Sequence, residues 1–138
     1  MERITSIQLT LALVFLVLQL SVSAGIDPHP SIRTDAAALV MFKKMIQNDT
    51  NRVLSSSWLP SKNNNPCTWY GVTCSLGRVT QLDLSNCNLV GAISFDPLAS
   101  LDMLSVLKLS SNLLTLNSTS LLQLPFGLKQ LELSLAGL

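Results

Sequence analysis

An α/β solenoid, with short parallel β-strands on a concave face behind an N-terminal cap of helix and β-hairpin, is the fold this sequence predicts. Three observations carry the prediction. Leucines recur with a strand period inside units of 24 or 25 residues, a two-cysteine, tryptophan-containing segment precedes the first unit, and an amphipathic stretch precedes that segment.

The chain opens on targeting information. Arg3 is followed by an apolar run from Ile7 to Leu20 and by the small-residue stretch Ser21-Val22-Ser23-Ala24. This pattern reads as a secretory signal peptide cleaved after Ala24, because a spanning helix needs about 20 mostly apolar residues and this run is shorter. Secretion makes two further features readable. Disulfides persist in that compartment, and the sequons Asn48-Asp49-Thr50 and Asn117-Ser118-Thr119 become candidate glycosylation sites. A net charge of +1 and 12% charged residues give no electrostatic footprint for nucleic acid, so that partner class is set aside.

The segment from Gly25 holds two prolines and the single histidine, His29, and reads as a flexible leader through residue 34. Thr34-Asp35 offers an N-cap, and Leu39, Phe42 and Ile46 fall at helical spacing from Ala36 to Gln47, with Lys43 and Lys44 turned away from the apolar side. After a polar break at residues 48–51, Val53 to Trp58 supports one or two more helical turns before Asn63-Asn64-Asn65-Pro66 stops them. Alternation from Cys67 to Cys74, the turn Ser75-Leu76-Gly77 and a strand from Arg78 predict a hairpin. Three cysteines leave three pairings open. Cys67 with Cys74 is favoured because both lie in the loop-rich segment with the least core of its own.

Val79-x-x-Leu82-x-Leu84-x-x-Cys87-x-Leu89 then recurs from Leu104 through Asn112 to Leu114, and again from Leu128 through Ala136 to Leu138, at offsets of 25 and 24 residues. A leucine pair two apart is a strand period, where a leucine-rich helix would show 3.6, and the unit length is that of leucine-rich repeats. Asn or Cys at the ninth position is expected to satisfy backbone groups where the chain leaves the strand, so Cys87 reads as a buried reduced thiol, and Ala136 as a break in that ladder. Leu98, Leu101 and Leu104 come three apart and suit a tight 3-10 turn back to the next strand. Leu121, Leu124 and Leu128 do so less regularly. Side chains between the leucines face the concave side in three columns: Gln81, Val106 and Gln130; Asp83, Lys108 and Glu132; Ser85, Ser110 and Ser134. These nine are the candidate protein-binding residues, with the charged column expected to form a lateral ladder.

The organisation that follows is a signal peptide (1–24), a leader (25–34), a cap (35–78), repeat one (79–103), repeat two (104–127) and a truncated repeat three (128–138). The chain is expected to be an N-terminal fragment, marginally stable in isolation because Leu131, Leu133 and Leu138 would expose an apolar edge. No nucleophile has a histidine partner, and no positioned carboxylate pair, metal-ligand spacing or phosphate-cradling loop occurs. No catalysis, cofactor or metal is therefore expected.

Leu39 to Phe42, Trp58, Cys67-x-Trp69-x-Gly71-Val72-x-Cys74 and Leu89-Val90-Gly91-Ala92-Ile93-Ser94 resemble the cap and first repeat of plant leucine-rich-repeat receptor kinases, with Ser94 where their signature has proline. Asp35 to Gln47, Leu104 to Ser110 and Leu116 to Leu122 are similar to the brassinosteroid-receptor-like group, vascular-highway type. The resemblance implies extracellular recognition at the plasma membrane, the cap disulfide Cys67–Cys74, and, only in a full-length receptor, a peptide or steroid ligand, a co-receptor-type kinase ectodomain as partner, a membrane span and a kinase. The other reading is a small stand-alone secreted repeat protein, a decoy or an inhibitor of wall-degrading enzymes.

Overall fold

The computed structural model describes residues 29–136; the expected signal peptide (1–24), residues 25–28 of the expected leader, Gly137 and Leu138 lie outside the described residues. Helix α1 spans Ile32–Lys43. It starts four residues before the expected Ala36 because Ser31, and not Thr34-Asp35, is the N-cap. Ser31 Oγ accepts from the Thr34 N–H, and Thr34 Oγ1 accepts from the Ser31 N–H at 2.8 Å. This reciprocal box satisfies two groups that a helix start leaves unpaired, and it places residues 32–34 of the expected leader in the helix. The helix also ends before Gln47. Met45 and Ile46 tighten into i−3 bonds, and the Gln47 N–H is captured by the Val90 carbonyl at 2.8 Å. Lys43 is not turned away, since its Nζ donates to the Trp58 carbonyl at 2.8 Å.

Strand β1 (Asn48–Asp49) follows, then the short helix α2 (Val53–Ser57), whose N-cap Arg52 makes no side-chain bond. Asp49 takes over that task. Its carboxylate accepts from the N–H groups of Val53, Leu54 and Ser55 at 2.8, 2.9 and 2.7 Å. Burial alone would raise the Asp49 pKa, but those backbone bonds and the Ser55 hydroxyl outweigh it and hold the carboxyl below its usual value.

Trp58 and Trp69 stack with ring centroids 5.8 Å apart and both are buried. Their indole N–H groups donate to the Tyr70 and Asn63 carbonyls at 2.9 Å each, so burial leaves neither donor unpaired. A 3-10 turn, Pro66–Thr68, leads to strand β2 (Val72–Ser75), which pairs antiparallel with β3 (Arg78–Asp83). The disulfide Cys67–Cys74 ties that turn to β2. Gly71, at φ +74°, permits the close packing here: an added Cβ would lie 2.3 Å from the Asp83 carbonyl oxygen.

β3 continues as a parallel ladder through β5 (Val106–Lys108) to β7 (Gln130–Glu132), giving a four-stranded sheet in the order β2-β3-β5-β7. A second sheet, β1-β4-β6, uses β4 (Leu89–Ile93) and β6 (Leu113–Leu116). The sequence reading did not foresee it. Gly91 is where it meets the cap, because a Cβ there would sit 2.5 Å from the Met45 carbonyl oxygen.

Between the sheets and the outer 3-10 turns lies one core of Val79, Leu82, Leu84, Leu89, Ile93, Phe95, Leu98, Leu101, Leu104, Leu107, Leu109 and Leu114, joined by Leu39, Phe42 and Leu54 from the cap. The first outer turn, Asp96–Ser100, buries Leu98. The second, Ser118–Gln123, is one residue longer, which turns Ser120 inward and leaves Leu121 about half exposed, correcting the expected Leu121 anchor. Leu131 is 36% exposed, and Leu133 packs partly against the core.

Asn112 completes the turn of the repeat before it. Its Oδ1 accepts from the Cys87 and Leu89 N–H groups at 3.1 and 3.0 Å, and its Nδ2 donates to the Leu84 and Leu109 carbonyls at 2.8 and 3.1 Å. At Ala136 the backbone carries the contact forward instead, through a bond from its N–H to the Leu114 carbonyl at 2.9 Å.

Asn112→Ala strands two buried N–H groups, at about 1–3 kcal/mol each, so urea denaturation followed by tryptophan fluorescence should show a loss of about 2–6 kcal/mol. A change under about 0.5 kcal/mol would mean the ladder is not needed. Because the Asp49 pKa is lowered on folding, its contribution is present above the ordinary value of about 3.9 and is lost as pH falls through the folded value. The urea midpoint should therefore drop between pH 6 and pH 3, and less steeply in Asp49→Ala, a variant destabilised by about 1 kcal/mol at neutral pH.

Candidate recognition surface

The parallel ladder sets two of the three columns in register, and the serine column lies two residues past the strand ends. Gln81 pairs with Val106 and Val106 with Gln130, while Asp83 aligns with Lys108 and Lys108 with Glu132. Equivalent side chains on neighbouring strands of such a ladder stand about 4.8 Å apart. Gln81, Asp83, Gln130 and Ser134 are exposed, and Ser85, Val106, Lys108, Ser110 and Glu132 are partly buried.

The charged column is a ladder over half its length. Lys108 Nζ lies 3.3 Å from Glu132 Oε1, and Gln130 Nε2 donates to the same oxygen at 2.6 Å. Asp83 is not bridged to Lys108. Its Oδ1 accepts from the Ser85 hydroxyl at 2.5 Å and the Ser85 N–H at 3.0 Å. The Ser85 hydroxyl bond is the chief reason the Asp83 carboxyl is held below its usual range. Partial burial opposes it, and the field of Lys108 adds to it. A two-residue hydrogen bond wins over a cross-strand ion pair because it needs no long side chain to be ordered.

The serine column is partly committed to the backbone. The Ser110 carbonyl accepts from the Asn86 N–H at 2.9 Å, and Ser134 Oγ accepts from the Ser111 N–H. The side chains of Gln81, Val106 and Ser110 take no part in these bonds.

Two residues extend this surface that sequence reasoning missed. Thr73 of β2 sits opposite Gln81 and is exposed, adding a fourth position to that column. Tyr70 is 50% exposed, and its hydroxyl lies 3.9 Å from Cys87 Sγ, beside the head of the serine column. The signal was the strand period running on through the hairpin into the ladder. Cys87 is free and buried, with Sγ 3.3 Å from the Ser85 carbonyl. Burial, the largest influence, pushes the thiol pKa up, while the Tyr70 contact pulls it down.

Beneath the surface lies an ion cluster that the sequence did not disclose. Fully buried Asp35 accepts from Arg78 Nε and Nη2 at 2.9 and 2.8 Å and from the Val79 N–H at 3.0 Å, and Arg78 also bridges to Asp102. The Asp35 bond is the main cause that raises the Arg78 pKa above its usual value. The cluster ties α1 to the first parallel strand and to the turn before the second. Among the described residues no group of three or more His, Cys, Asp or Glu is placed to hold a metal ion, and no helix is long and apolar enough to cross a membrane.

Residues 32–75 match the leucine rich repeat N-terminal domain family, a span that opens at the first residue of α1 and closes at the last of β2. Over 125 residues, 91% of its length, the chain is 52% identical to the serine/threonine-protein kinase BRI1-like 2 of Arabidopsis thaliana. The chain is a homologue of plant leucine-rich-repeat receptor kinases. It spans 11% of that relative, so it corresponds to a small part of it. Among solved structures, the BIR2 ectodomain from Arabidopsis thaliana superposes with a TM-score of 0.62 at 31% identity, over 72% of this chain and 54% of that one. The ectodomain of GASSHO1/SCHENGEN3 from the same plant, solved in complex with Casparian strip integrity factor 2, gives 0.60 at 32% identity, over 73% and 12%.

With its pKa raised by burial, Cys87 should resist an added maleimide in the native state at pH 7 and react once the chain is unfolded in urea, as read by intact mass. Rapid native labelling would show that the thiol is not sequestered.

Proposed function

We propose that this chain is the extracellular recognition end of a leucine-rich-repeat receptor-like kinase of the brassinosteroid-receptor-like group, delivered to the cell surface by the signal peptide at residues 1–24. The observation that carries this reading is the concave sheet. It carries Gln81, Asp83, Val106, Lys108, Gln130 and Glu132 in strand register, with Ser85, Ser110 and Ser134 just past the strand ends and Tyr70 and Thr73 of the cap beside them. Fixed backbone spacing lets such a face recognise an extended or folded polypeptide without ordering its own side chains at the moment of binding.

The partner class is protein or peptide. The surface is mixed and nearly neutral, with Lys108 already paired to Glu132, so it does not present the clustered charge that a nucleic acid needs. The GASSHO1/SCHENGEN3 ectodomain, which the chain resembles in fold, is in complex with Casparian strip integrity factor 2, which supports a polypeptide ligand. A co-receptor-type kinase ectodomain, or a steroid bound further along the solenoid, belongs to the receptor as a whole. The segment it resembles in the homologues is ectodomain and not kinase, so its role is binding and not catalysis.

The test is a graft. Residues 1–136 replace the matching segment of BRI1-like 2, together with that receptor's own leader, and the chimera is expressed in plants lacking that receptor. It is expected to reach the plasma membrane, to begin at Gly25 once processed, and to restore signalling. A chimera present at the surface but silent, or retained inside the cell with an intact signal peptide, would overturn the reading.

A further inference from the structure

We infer that Asn48 and Asn117 are both N-glycan acceptors, and that the two glycans bracket the three-stranded sheet while the concave sheet is kept bare for its partner. The inference rests on the extracellular reading above and adds which faces of the molecule a partner can reach. Asn48 lies on β1, the outer strand of the three-stranded sheet, opposite Val90. Asn117 directly follows Leu116, the last residue of β6 at the far side of the same sheet, where Leu116 pairs with Ile93. Both asparagines are exposed. In each sequon the third residue engages the asparagine oxygen: Thr50 Oγ1 donates to Asn48 Oδ1 at 3.0 Å, and the Thr119 N–H donates to Asn117 Oδ1 at 3.4 Å. The amide nitrogens have no partner among the described residues.

The reaction needs a lipid-pyrophosphate-linked oligosaccharide as glycosyl donor. A bond forms between Asn Nδ2 and the anomeric carbon of the sugar, the bond from that carbon to the pyrophosphate oxygen breaks, the amide loses one proton, and lipid pyrophosphate leaves with the electron pair. No electron transfer is involved.

The sequence supports the second half of the inference independently. Asp83-Leu84-Ser85, Lys108-Leu109-Ser110 and Glu132-Leu133-Ser134 each carry the serine of a sequon on the concave sheet, one substitution away from an acceptor, and none has asparagine at its first position. Three repeats thus present the hydroxyl residue there without the acceptor, while the two complete sequons fall on β1 and directly after β6. At β1 a glycan has a physical use as well, because a bulky polar group on an outer strand blocks the edge-to-edge pairing that free strand edges invite.

The test is made on the chain secreted from a eukaryotic host and on the graft described above. Enzymatic removal of N-glycans in heavy-oxygen water, followed by peptide mass mapping, should mark both Asn48 and Asn117, and Asn48→Gln and Asn117→Gln should each remove one mobility step. Thr50→Ala gives the same loss while keeping Asn48. Either asparagine found unmodified in a chain that begins at Gly25 overturns this inference and leaves the extracellular reading standing. An unmodified chain that still begins at Met1 overturns both. Lys108→Asn adds a third glycan, on the concave sheet, and should abolish signalling by the graft well beyond any loss in Lys108→Gln, which removes the lysine without adding a glycan, whereas the two Asn→Gln variants retain it. Full signalling with a glycan at position 108 would sink the bare-face assignment.

Discussion

A parallel strand in a solenoid cannot cover its own leucines, and the first strand has no preceding repeat to do it. Val79, Leu82 and Leu84 would face water on their N-terminal side if the cap were absent. The cap answers this by imitating a repeat. β2 supplies a backbone neighbour, although antiparallel, while Trp69 and Val72 supply apolar cover, and α1 delivers Leu39 and Phe42 from behind. Burying these side chains is worth roughly 1.5–3 kcal/mol each against exposure, which sets the scale on which the rest depends. The Cys67–Cys74 bond then limits the freedom of the one segment that contributes few such side chains of its own.

Direction is what the apolar core leaves undetermined, and polar contacts specify it. Asp35 has three partners, two of them on one guanidinium, and that geometry allows only one orientation of α1 over Arg78. Gly91 and Gly71 work in the same sense by proximity, since a side chain at either would collide with a backbone oxygen. A buried ion pair contributes little net stability when well made, yet it is costly to break, so its effect here falls on specificity of docking more than on strength.

The parts of this arrangement that could be read from the sequence were those written in buried side chains. The repeats, the hairpin with its disulfide and the outer turn through Leu98, Leu101 and Leu104 all repeat a leucine or pair cysteines at short range. What could not be read depends on competition or distance. Ser31 and Thr34 are both acceptable caps, and the Thr34 hydroxyl bonding back to the Ser31 N–H places the start one turn earlier. β1 is two polar residues, too short for any period, and it exists because β4 is there to receive it. The charged column was placed by its strand register, but a local bond from Ser85 took Asp83 away from Lys108. The single extra residue in the turn at Ser118–Gln123 changed which side chain faces inward, something a spacing of three cannot reveal.

Asn112 has a further consequence in time. Because its amide closes the turn between Leu84 and Leu89, on the strand already laid down, that turn stays unfinished until the ribosome has delivered a side chain some two dozen residues later. The first unit is thus sealed by its successor, and during synthesis its turn is the last part of that repeat to close.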